Sequence, residues 1–280
     1  TVFSGGAVKT DLTLADMSFA IARLIPASGG TPAAWTNYVS RKATATMGVG
    51  PGGSTTPPAS AQQAATDPKT ADAQLEYHSA GYYTYTFTAD ITDPDWTATI
   101  GGVDYSTNGV TFVPGATHRV AIQLSYKDAT GAVVRVNPYF DFTLAGSGPY
   151  NSTPLADPAT QGFQMSEVSS CNVCHAKLAV HGGGMVATQY CAMCHNPGTT
   201  DANSGNSVDM KVMIHKIHMG ANLPSVLAGE PYIIYGFQNS VHDYSNVLLP
   251  QDIRNCVNCH AGSATGTDLQ FPAGQDYSLT

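Results

Sequence analysis

The sequence predicts two unlike regions: an N-terminal all-β domain, Greek-key or sandwich-like, and a C-terminal region with little regular secondary structure and a few short helices. Three observations lead there. Strand-period stretches punctuated by turn formers fill the first 150 of the 280 residues. A Pro/Ser/Thr/Gly-rich stretch over 146–162 then interrupts the pattern. Beyond it strand signals fade, and all six cysteines of the chain appear. The expected division is a β domain over 1–150, a linker over 151–165 and a second domain over 166–280.

In the β domain, 46–65 is rich in Gly, Ser, Pro and Thr and is expected to be an exposed loop. Residues 82–91 are crowded with aromatic and β-branched side chains, the mark of a strand. Residues 118–126 largely alternate apolar and polar positions, 127–131 end in a Thr-Gly turn, and 132–136 resume the strand pattern, so a hairpin is expected. Residues 139–144 make a further strand. Past the linker a single helix stands out, over 210–219, with Asp209 as its N-cap and Gly220 as its stop.

The cysteines fall in three copies of one pentapeptide: Cys171-Asn-Val-Cys174-His175, Cys191-Ala-Met-Cys194-His195 and Cys256-Val-Asn-Cys259-His260. Cys-x-x-Cys-His is the attachment signature of a c-type haem, in which two thiols bond the porphyrin and the histidine takes an axial position on iron. A thioredoxin-like redox pair or half a structural zinc site also uses Cys-x-x-Cys. Neither asks for histidine directly after the second cysteine, yet it follows three times and no cysteine is left over. Three haem c groups are therefore expected, and the C-terminal region is read as haem-packed, its porphyrins replacing much of an apolar core. Such a region should not fold without haem.

Six further histidines remain. His215 and His218 sit three apart on one face of the expected helix, among Ile and Met neighbours, and so can reach two neighbouring haems. His181 precedes three glycines that allow close approach to a flat porphyrin. His242 precedes Asp243, which could orient its ring. These four are read as axial ligands. His78 and His118, in the β domain, are read as ordinary strand or surface histidines. Met185, Met193, Met210, Met213 and Met219 are read as packing against haem, since histidines suffice for every sixth position. Bis-histidine ligation leaves iron no open position, which favours electron transfer at low potential over substrate chemistry.

Composition narrows the partners. Formal net charge is −8, so nucleic acid and anionic membrane surfaces are poor candidates. No apolar run is long enough to span a bilayer as a helix. Haem c is attached outside the cytoplasm, so the chain is expected either to follow a removed export signal or to be an interior segment of a longer polypeptide.

At the residue level the C-terminal region resembles the OmcA/MtrC family of outer-membrane multihaem cytochromes. The resemblance lies in 171–183, 190–197, 208–218 and 250–256, and extends to Thr117-His-Arg-Val-Ala-Ile122 in the β domain. It implies electron transfer at the cell surface, through bis-histidine haems, to minerals such as metal oxides or other extracellular acceptors, with the periplasm a less favoured location. Family members carry more haems, in two β-plus-haem modules, whereas this chain has three motifs. It is thus expected to be a shortened member or one segment. The alternative function is a multihaem redox enzyme with one open coordination site. Four candidate distal histidines for three irons also raise a filament, in which one histidine serves a neighbouring copy and the partners are other redox proteins or the chain itself.

Overall fold

The computed structural model describes residues 1–50, 60–145, 151–156 and 163–260. Its largest sheet contains β3 (Met17–Ile25), β4 (Ala34–Asn37), β11 (His118–Lys127), β12 (Val133–Val136), β13 (Tyr139–Ala145) and β14 (Asn151–Pro154). The order is β14-β13-β11-β3-β4, with β12 also on β11, and every pairing is antiparallel. A second sheet, order β6-β5-β10-β9, joins β5 (Ser40–Ala43), β6 (Ala61–Ala64), β9 (Thr97–Ile100) and β10 (Val103–Ser106). Small hairpins are formed by β1 (Phe3–Ser4) with β2 (Ala7–Val8), and by β7 (Leu75–His78) with β8 (Tyr82–Tyr85). Among the described residues after 163 there are five short α-helices: α1 (Val168–His175), α2 (Thr188–Cys194), α3 (Met210–Met219), α4 (Pro224–Leu227) and α5 (Cys256–His260). They are accompanied by one hairpin of β15 (Ile233–Tyr235) and β16 (Val241–Asp243). No described helix is long and apolar enough to cross a membrane.

Alternation along β3 gives the large sheet two different faces. Met17 and Phe19, with Leu124 of β11 and Leu12, meet the β7–β8 hairpin through Leu75, Tyr83 and Tyr85. The opposite face carries Ala20, Ala22 and Ala121, all fully buried, beside Trp35. Tyr190 and Met193 of α2 lie on those alanines. Small side chains keep this face shallow, so a helix can come close to the strands.

Arg119 emerges from β11 on the same face as Ala121. Its guanidinium makes two bonds to Asp141 of β13, at 2.6 and 2.7 Å, and donates to the Gln189 carbonyl of α2 at 3.2 Å. It stacks on Trp35 and Tyr139, 4.3 and 4.7 Å from the ring centres. Around this pair, polar links sew the two regions together. The Asn37 N–H donates to Asn196 Oδ1, Gln63 Nε2 to the Thr200 carbonyl, and Asn137 joins both Gly184 and Val186.

Three local expectations change. The 82–91 strand ends at Tyr85, because the N–H groups of Thr88 and Ala89 turn to the buried Asp67 carboxylate instead of a neighbouring strand. Within 46–65, residues 61–64 pair with β5, and 51–59 lie outside the described residues. Within 146–162, residues 151–154 add an edge strand to β13, where Pro154 is tolerated. The hairpin of β11 and β12, β13, the 210–219 helix and the strand histidine His118 all lie where expected; His118 is buried, with Tyr38 Oη 2.9 Å from its Nε2.

Asp141→Ala leaves a buried guanidinium without its carboxylate and is expected to cost about 3–5 kcal/mol. Replacing both partners by apolar residues of similar volume should cost less. Chemical denaturation of the two variants checks the ordering.

Candidate haem-binding site

The three Cys-x-x-Cys-His motifs occupy the ends of three short helices. α1 carries the first, α2 and its C-cap His195 the second, and α5 the third. α1 packs against α5, and α2 lies on the sheet. The loop before α1 is common to all three. Thr188 Oγ1 donates to the Ser166 carbonyl, and Gln189 Nε2 to the Glu167 carboxylate. The Met165 carbonyl accepts from His260 Nδ1, and Glu167 is the N-cap residue of α1.

Each motif histidine faces a histidine from elsewhere. Ring centres of His175 and His218 are 6.1 Å apart, those of His181 and His195 are 5.9 Å, and those of His215 and His260 are 6.2 Å. With metal–imidazole bonds of about 2 Å on either side of one ion, and each ring centre roughly 1.2 Å behind its nitrogen, axial imidazoles have centres about 6 Å apart. All three pairs match. They also match in composition, each combining one motif histidine with one outside the motifs.

The rings are oriented from behind. His195 Nδ1 lies 2.7 Å from the Val208 carbonyl, His215 Nδ1 2.6 Å from Lys211, His218 Nδ1 2.9 Å from Ile214, and His260 Nδ1 2.8 Å from Met165. A carbonyl only accepts, so in these four rings Nδ1 carries a proton, which leaves Nε2 as the nitrogen a metal would take. Burial holds His195 below its usual pKa, which also favours the neutral ring. Burial pushes the Cys191 and Cys194 thiols up to about 11 and about 12.

Local backbone explains the placement of the outside histidines. α3 begins at Asp209, whose carboxylate accepts the Lys211 N–H at 2.9 Å, and its 3.6-residue period sends His215 and His218 out side by side. It stops at Gly220, φ 43°, where a Cβ would collide with the Val247 carbonyl. His181 sits in left-handed backbone at φ 52°, followed by Gly182 and Gly183 at 70° and 84°. Val180 and Met185 close that turn by two backbone hydrogen bonds, and the reversal aims His181 at His195. Beside His218 a cleft of about 270 Å³ is lined by Met219, Asn222, Leu249, Gln251 and Ile253. The residues present fit a haem at each motif.

His242 stands outside the three pairs. It is exposed on β16, its Nε2 is 3.1 Å from Ser240 Oγ, and its ring stacks on Tyr244. Asp243 does not orient it; that carboxylate accepts the Ser245 N–H instead. Sequence reasoning missed the carbonyls of Met165 and Val208 and the Arg119–Asp141 support, since main-chain acceptors leave no trace in residue type.

Residues 165–276 match a domain family described as outer membrane cytochrome MtrC/MtrF-like, domains II/IV. The crystal structure of the outer membrane decaheme cytochrome OmcA is similar over 92% of this chain, with 25% identity and a TM-score of 0.66. The structure of MtrC from Shewanella baltica OS185 aligns over 92% of the chain and 39% of its own length, with 20% identity and a TM-score of 0.47. No curated protein matches. The chain spans 36% of the OmcA structure.

Gly220→Ala must either move the Val247 segment or unwind the end of α3, and is expected to cost on the order of 1–3 kcal/mol. An unfolding midpoint equal to that of the unaltered protein would count against a constrained end to this helix.

Proposed function

We propose that the chain, whose residues 165–276 match the outer membrane cytochrome MtrC/MtrF-like domain family and whose fold is similar to that of the OmcA structure, is a member of the OmcA/MtrC family that passes electrons at the outer cell surface through three covalently bound haem c groups. In this reading Cys171 and Cys174, Cys191 and Cys194, and Cys256 and Cys259 bond the three porphyrins. His175 with His218, His195 with His181, and His260 with His215 would hold the three irons. The single observation that carries it is the set of three facing rings, each about 6 Å apart and each uniting a motif histidine with an outside one.

When bound, haem held between two histidines would supply one-electron transfer at low potential. The chain's own contribution is positional. α3 offers two rings three residues apart, which holds the first and third sites side by side. Nδ1–H bonds to the main chain keep four of the rings from turning. The 166–280 region is the electron-carrying unit, and 1–150 is its floor. Partners are other redox proteins, further copies of the chain and extracellular acceptors such as metal oxides. The rival reading, a redox enzyme with an open iron, needs a motif histidine without an opposite ring, and each motif histidine has one.

His242 bears on the filament. Six rings are paired within one chain, so the three motifs ask for no ligand from a neighbour. Head-to-tail stacking then rests on contact between copies, with exposed His242 available to that contact.

Intact mass should report three haems, and the absorption and EPR spectra only low-spin iron. His181→Ala, His215→Ala and His218→Ala should each convert one haem to high spin, while His242→Ala converts none. Fewer than three haems, or a high-spin signal in the unaltered protein, would overturn the reading.

A further inference from the structure

Tyr232 is 2% exposed, yet its hydroxyl has no hydrogen-bond partner among the described residues. A buried donor without a partner is costly, so a partner is expected from outside the described residues. The position is not loose. Tyr232 donates its N–H to Ser245 Oγ at 2.9 Å, and its carbonyl accepts the Tyr244 N–H at 2.9 Å. Over its ring, 4.4 Å from the centre, lies the ammonium of Lys216. Among the described residues no carboxylate is within ion-pair distance of Lys216. Lys216 belongs to α3, between His215 and His218.

A half-buried cation and an orphaned phenol thus converge beside the helix that presents two outside histidines. Their shared complement is a carboxylate, which accepts from both. Haem carries two, its propionates, and its ring nitrogens are occupied by iron. We propose that Lys216 and Tyr232 together bind a propionate of one of the two haems served by α3, and that the Lys216 charge sets that haem's potential above the value it would otherwise have. This rests on the reading that His215 and His218 are axial ligands. The direction follows from charge: ferric haem is one unit more positive than ferrous haem, so a nearby cation favours the reduced form. Tyr232 acts the same way by drawing propionate charge toward its hydroxyl.

The test uses the haem-loaded full chain, with haems counted by mass and midpoint potentials resolved by spectroelectrochemistry. In Lys216→Met one of the three potentials should fall while the other two stay in place. Tyr232→Phe should lower the same one by less, and Lys216→Arg should restore the value of the unaltered protein. Should Lys216→Met lose a haem, Tyr232→Phe, which removes a single oxygen atom, decides alone. Unchanged potentials, as when Tyr232 bonds a buried water, overturn the proposal, and so does an equal shift of all three. A mass short of three haems in the unaltered protein overturns the haem reading instead, and the clamp with it.

Discussion

Two imidazoles with centres about 6 Å apart do not bond each other. The geometry must be imposed from behind each ring, and most of the second half of the chain is arranged to do so. Main-chain carbonyls grip Nδ1 of His195, His215, His218 and His260. Those carbonyls are fixed in turn by a capped helix, by a glycine that ends it, and by the loop at 165–167. Apolar burial contributes little here, since none of the residues of α1, α3 or α5 is buried.

What apolar packing there is comes from the sheet. Ala20, Ala22 and Ala121 form a floor on which Tyr190 and Met193 of α2 rest, and Arg119 fastens the helix by its Gln189 carbonyl. A buried ion pair adds little stability by itself, since both charges lose their water. What Arg119 contributes is direction: the planar guanidinium, held between Trp35 and Tyr139, permits one approach of the helix that bears Cys191 and Cys194. The β domain is therefore a platform with a specified docking angle.

Much of this could be read from residues in order. The 210–219 helix was legible at both ends, because Asp209 and Gly220 act through local backbone chemistry. So were the hairpin of β11 and β12 and the attachment motifs, whose information is contained in a few consecutive residues. Legibility failed where the partner is distant. Arg119 looked like the polar face of an alternating strand, but its burial is decided by Asp141 and by Gln189, seventy positions on. Residues 151–154 looked like linker, because a Ser/Thr/Pro sequence becomes a strand only once β13 offers it an edge. Which outside histidine meets which motif was equally hidden, since spacing along the chain does not encode opposition in space.

The pairing of rings also implies a timetable. His181 and His195 are fourteen positions apart, whereas His175 waits forty-three residues for His218, and His215 waits forty-five for His260. Closing a short loop costs less entropy than closing a long one, and the nearer partner follows soonest as the chain is exported. The middle site is thus the first that can be completed once the chain has left the cytoplasm. The first motif, although earliest in order, must keep its histidine unopposed until α3 has been produced. The third closes last and, through the Met165 carbonyl, draws the chain's final motif back to the loop that precedes its first. Among these three sites the last closure joins the third motif to the loop before the first, and an interruption before residue 260 would strand His215 on α3 without its counterpart.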